Sequence, residues 1–321
     1  MRLPLLVLLL VWPARAFAQA TPAPGEPARN TPPRKPPQTF TDEDLARYRE
    51  ERLRESTAAE TPAPVPAPLA PPAAAPTTRL PSGSVALLDI NGTLPPETRA
   101  EAEAAGLHFV RFFGEPLSGP LVIPLRYFPD WNAYRDHLTR NNPFPVDWTG
   151  YYDPLKREIV VGQRSNTQTV LAHEINHFIF DTVFDEAPVW LREGLAEYFE
   201  TSTSTPKGLH VADQPRHLAQ LAAWLKGGRQ PDLRQLLALN YAMWRDHEIE
   251  GSQRVRALSW SIVDFLMSSP GGQKTLHEFL ARLKDQRGLH SLEALNRTFP
   301  NGAAAFERQW LEHVERRSGR E

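Results

Sequence analysis

The sequence predicts an α+β domain in which a small mixed sheet with helices comes first and a mainly α-helical half follows. Three observations lead there. Short apolar runs at 85–90, 121–125 and 158–161, bounded by turn-forming residues, read as strands. Beyond residue 166 apolar side chains recur every three or four positions, with Gly, Ser and Pro where runs stop, so helices are expected. The 32 prolines are unevenly placed, and the Pro- and Ala-rich chain ahead of residue 82 has little to bury, which confines the folded part to about 84–316.

In chain order, Met1-Arg2, the apolar run 3–12 and Ala16-Phe17-Ala18 have the charged, apolar and small-residue regions of a secretory signal peptide. A signal over 1–18, cleaved after Ala18, makes the protein secreted or periplasmic. The run is too short to cross a bilayer comfortably, so no stable membrane span is expected after cleavage; an uncleaved anchor is the alternative. Residues 19–81, as in Thr61-Pro62-Ala63-Pro64-Val65-Pro66, read as an extended or disordered tether. Within it the charged stretch 41–55 is helix-prone, with Thr41 as its cap. It is either a solvated helix or a segment that docks onto or covers a site, and nothing local decides between them.

The domain opens with the 85–90 strand and a helix over 96–105 that Gly106 is expected to end. A helix at 131–138 lies between the next two strands, and Gly150-Tyr151-Tyr152-Asp153-Pro154 reads as a turn leading into the last, although exposed tyrosines there would line a cleft. The main helix spans 167–181, capped by Asn166 or Thr167, with Val170, Leu171, Ile175, Phe178 and Ile179 as its apolar side. A connection follows, in which Glu186 can cap the next helix. That helix starts at Pro188 and buries Trp190, Leu191, Leu195, Tyr198 and Phe199. A Thr/Ser-rich loop runs to Lys207. The helical part, 210–316, has helices at 218–226, 233–239, 255–267, 273–284, 291–298 and 303–317, with Leu258, Ile262, Phe265 and Leu266 as one buried stripe and a solvated end over 312–321.

Chemistry concentrates in two segments. Residues four apart on a helix share a face, so His173 and His177 of Leu171-Ala172-His173-Glu174-Ile175-Asn176-His177-Phe178 can point at one ion, with Glu174 beside them. This is the H-E-x-x-H arrangement, in which two imidazoles bind zinc and the carboxylate handles the proton of an activated water. A catalytic tetrahedral zinc takes three protein ligands and one open position. Glu193 of Pro188-Val189-Trp190-Leu191-Arg192-Glu193-Gly194-Leu195-Ala196-Glu197-Tyr198 supplies the third, and Glu197, four residues on, is placed to accept a ring N–H from a ligating histidine. The expected cofactor is one Zn2+. A chain without Cys has no thiolate zinc site and no disulfide. A formal charge of −2 and the lack of a dense basic run exclude nucleic acid and an anionic membrane surface as expected partners.

These two motifs resemble those of the gluzincin, or peptidase MA-like, zinc metallopeptidases, and most closely a bacterial group whose second motif reads Trp-Leu-x-Glu-Gly-Leu-Ala-Glu-Tyr. The resemblance covers roughly 84–316, with its specific part at 171–200. It implies a thermolysin-like catalytic core, zinc on His173, His177 and Glu193, Glu174 as general base and acid, and Glu197 behind the ligands. It also implies a sheet whose edge strand holds extended substrate. For that role 159–162 is the candidate, an ordinary core strand being the other reading.

The expected function is therefore a secreted or periplasmic zinc metallopeptidase acting on a peptide or protein substrate. One part is missing. Related enzymes donate to the developing oxyanion from a Tyr or His on a later element, and no Tyr occurs in Val255-Arg256-Ala257-Leu258-Ser259-Trp260, where it is expected. Arg256, Ser259, Tyr241, His247, His210 and His217 stay open as substitutes. Two alternatives remain: a catalytically inactive zinc-binding module that captures peptides or envelope components, and a structural envelope protein without metal.

Overall fold

A computed structural model describes residues 83–114, 119–141, 149–154, 156–184, 187–205, 208–228, 231–249, 254–286 and 290–319. The expected signal peptide, the 19–81 stretch and its 41–55 helix lie outside the described residues. The fold is mixed α+β. Strands β1 (Val85–Asp89), β2 (Leu121–Phe128), β3 (Gly150–Asp153) and β4 (Glu158–Gly162) form one sheet in the order β1-β2-β4-β3. The first three in that order are parallel, and β3 is antiparallel to β4.

Register explains an awkward residue. Leu121 donates its N–H to Ser84 and Ile90 donates to the carbonyl of Leu125, so odd-numbered residues of β2 face β1. Pro124 therefore turns its missing N–H towards β4, whose pairing with β2 starts only at Leu125. The proline costs the ladder no bond.

Helix α1 (Pro96–Phe112) follows β1 and packs on it and on α3 (Thr167–Val183), while α2 (Trp131–Asn141) covers the opposite face of the sheet. The helix expected to end at Gly106 continues past it. A Cβ at Gly106 would stand 3.0 Å from Val85 Cγ1 and 3.3 Å from Ile175 Cγ2, so this glycine permits close packing against β1 and α3 and ends nothing.

The Gly150–Asp153 segment is a strand where a turn was expected. Its tyrosines are both buried, on opposite faces as a period of two requires: Tyr152 lies in the main core and Tyr151 in a small cluster with Tyr134, Leu138 and Val160. Consequently 159–162 is an interior strand, paired on both sides, and the sheet edge beside α3 is β3.

After α3 come α4 (Val189–Phe199) and a second departure from expectation. The Thr/Ser-rich stretch forms a hairpin of β5 (Ser202–Thr205) and β6 (Gly208–Val211), in a sequence without the apolar alternation that marks a half-buried strand. The rest is helical: α5 (Pro215–Lys226), α6 (Leu233–Ala238), α7 (Tyr241–Ile249), α8 (Arg254–Met267), α9 (Pro270–Asp285), α10 (Ser291–Thr298) and α11 (Gly302–Arg317). Helix α7 had no counterpart in the sequence reading. α8 is the axis of this half, with α4, α5, α9 and α11 packed around it. It approaches α4 at a glycine: a Cβ on Gly194 would stand 2.5 Å from the carbonyl oxygen of Ser259. Two buried indoles tie the layers together, Trp190 Nε1 donating to Ser291 Oγ and Trp310 Nε1 to Ser261 Oγ, each at 3.0 Å. No helix of the described residues is long and apolar enough to cross a membrane.

Candidate metal centre

α3 is buried along most of its length because it passes between the sheet and α4, and its histidines face α4. His173 Nε2 and His177 Nε2 are 3.0 Å apart. Glu193, from the first turns of α4, brings one carboxylate oxygen to 3.4 Å from His177 Nε2 and the other to 3.7 Å from His173 Nε2. Donors held about 2.0–2.2 Å from one tetrahedral ion stand roughly 3.3–3.6 Å from each other, so the triangle has the size of a coordination face. All three side chains are buried. His173, His177 and Glu193 thus form a buried group that can hold a metal ion.

The neighbours of each donor suit that use. His173 Nδ1 faces Glu200 Oε2 at 2.9 Å, and since a carboxylate only accepts, the ring proton sits on Nδ1 and the Nε2 lone pair points to the centre. Arg192 donates to Glu193 Oε1 at 3.2 Å and is itself held by Asp181 of α3 at 3.0 Å. Glu193 Oε2 is buried and has no hydrogen-bond partner among the described residues. A buried carboxylate oxygen in that state is costly unless a cation or a donor meets it, which fits a metal ligand.

Glu174 is fully buried beside the triangle. Its Oε2 accepts the main-chain N–H of Tyr152, on the edge strand, at 3.0 Å, and its Oε1 has no partner among the described residues. Burial pushes its carboxyl up to about 7, with Glu193 adding to the rise and the His173 charge opposing it. Burial drives the His177 imidazole down to about 3, and Arg192 contributes in the same direction. For His173 burial acts downwards too, but the carboxylates of Glu193 and Glu200 beside it outweigh that and hold the ring above its ordinary value. Burial would raise Glu193; the two imidazoles and the Arg192 guanidinium beside it overcome that and keep it well below the carboxylate range.

The structure brings His173, His177, Glu193 and Glu174 together and gives Glu197 other partners. Glu197 does not take the ring proton of a ligating histidine. Its carboxylate is bonded to Arg256 and, at 2.8 Å, to His217. The proton goes to Glu200 instead. Seven residues after Glu193, Glu200 lies on the same helical face as Glu197, so spacing alone does not choose between them. Arg256 on α8 and His217 on α5 are what claim Glu197.

Of the substitutes for the missing Tyr, Arg256 and His217 are committed to this ion cluster. His210 is exposed on the hairpin, His247 is half-buried on α7, and buried Ser259 lies where α8 meets Gly194 of α4. Tyr241, at the start of α7, lies against the metal-site arginine, with Arg192 5.7 Å from its ring centroid. Burial raises its hydroxyl pKa. Sequence reading did not assign Arg192, Glu200 and Gln214 as neighbours of the site; Arg192, next to Glu193 in the motif, and Glu200, on the helical face of Glu197, carried a signal, and Gln214 carried none.

Comparison of the chain with protein-family models, with curated protein sequences and with solved structures returns no match.

Proposed function

We propose that the protein is a zinc-dependent metallopeptidase of the gluzincin kind, built on a thermolysin-like core and acting in the secreted or periplasmic space on a peptide or protein substrate. The observation that carries this reading is the pairing of the His173–His177–Glu193 triangle with a buried glutamate, Glu174, that has one oxygen tethered and one free. A module that only stored metal would have no need of that fourth group.

Zinc held there supplies a Lewis acid that polarises the scissile carbonyl and brings the pKa of water towards neutrality. The chain's own residues account for the rest. Glu174, kept in place by the Tyr152 N–H, accepts the water proton on its free oxygen and returns it to the leaving amine. Gly150 and Tyr152 turn their main-chain groups away from β4, and the Tyr152 N–H spends that freedom on Glu174. Tyr241, backed by Arg192, is the donor we assign to the oxyanion. An inactive metal-binding module is the second reading, favoured by the lack of a Tyr on α8 and by the ion pairing of Arg256.

The test is hydrolysis of an unstructured protein by the purified, zinc-loaded chain, with products identified by mass spectrometry. Loss of cleavage with a chelator and its return with zinc are expected. Inertness of the zinc-loaded protein over a broad peptide library would favour the second reading.

A further inference from the structure

The two chain segments that flank the β5–β6 hairpin meet behind His173. Glu200, at the end of α4, accepts from His173 Nδ1 with Oε2 and from Gln214 Nε2 with Oε1, at 2.9 and 2.8 Å. Gln214, at the start of α5 and only 8% exposed, also donates to the main-chain oxygen of Glu197 at 2.9 Å. The base of the hairpin is pinned by Thr201 Oγ1 donating to Ala212 O at 2.8 Å, which fixes the spacing between the two side chains. Both Glu200 oxygens are thus occupied, one by the histidine and one by the amide, and the carboxylate has a single orientation.

We infer that Glu200 and Gln214 are the positioning residues of the metal centre. Glu200 sets the His173 tautomer and ring angle, and Gln214 sets Glu200. Glu197, at the spacing where such a partner was expected, belongs instead to a buried ion cluster with Arg256 and His217 that joins α4 to α8 and α5. The inference rests on the metal reading above and concerns binding, whether or not the centre turns over substrate.

The experiment measures zinc affinity by competition with a chromophoric chelator, together with the ring 15N shifts of His173 in the metal-free protein. Glu200→Gln and Glu200→Ala are expected to weaken zinc binding about 10- to 100-fold, and Glu200→Ala to move the His173 ring proton away from Nδ1. Gln214→Leu should act in the same direction with a smaller loss. Glu197→Gln should lower the unfolding temperature while leaving affinity in the folded protein within about threefold. Wild-type affinity and unchanged ring shifts in both Glu200 variants would overturn the inference, as would a Glu197→Gln variant that is folded yet weakened as much as Glu200→Ala. Should Glu200→Ala fail to fold, the zinc affinity of the isosteric Gln variant decides. A wild-type protein that binds no zinc would defeat the metal reading itself, an outcome distinct from equal affinities across the series.

Discussion

The two edges of the sheet make the same contact and put it to different use. At the β1 edge, Leu87 donates its N–H to Glu103 at 2.8 Å and its carbonyl accepts from Arg99, both side chains coming from α1. At the β3 edge, Tyr152 donates its N–H to Glu174 at 3.0 Å. Glu103 is part-exposed, with Arg99 3.9 Å away to balance its charge. Glu174 has no exposure, an orphaned second oxygen and a carboxyl lifted to about 7. The first pair closes a strand edge against unwanted pairing. The second holds a buried carboxylate beside the His173–His177–Glu193 group. What separates the two carboxylates is desolvation and the company of Glu193, since the hydrogen bond is shared by both.

The largest effect is expected from neutralising the buried carboxylate. Glu174→Gln retains an oxygen for the Tyr152 N–H and leaves the three metal donors in place. Peptide hydrolysis should fall by about 10²- to 10⁴-fold while zinc stoichiometry and the unfolding temperature of the loaded protein hold. Comparable rates in both proteins would show that Glu174 is as passive as Glu103. A somewhat smaller effect is expected from Tyr241→Phe, which removes the hydroxyl that the silent edge has no counterpart for. A loss of kcat of up to about 10²- to 10³-fold with little change in KM would mark a group acting only in the transition state. The smallest effect belongs to Glu103→Gln, which should cost about 1 kcal/mol in chemical denaturation and leave turnover alone.

Much of this was legible in the chain. His173, Glu174, His177 and Glu193 follow from helical spacing and coordination chemistry, both local rules, and most helices of the C-terminal half follow from apolar periodicity with Gly and Pro stops. What escaped reading depends on who arrives from far away. Gly106 reads as a helix stop until Val85 and Ile175 are known to press on it. Gly150–Asp153 reads as a turn because its two adjacent tyrosines hide the alternation of a strand buried on both faces. Glu197 and Glu200 share a helical face, and only the arrival of Arg256, His217 and Gln214 sorts their tasks.

One consequence follows from Gly194, where α4 and α8 run almost backbone to backbone. Any side chain there would drive the helices apart, and Gly194→Ala should lower stability by about 1–3 kcal/mol or more, read as a fall in unfolding temperature. The crossing carries Glu193, Glu197 and Arg256 in one block, so Glu193 takes its position from a helix more than fifty residues downstream. Grafting both motifs onto another scaffold, or cutting the chain after Tyr198, would transplant every letter of the signature and leave behind the strut that aims it.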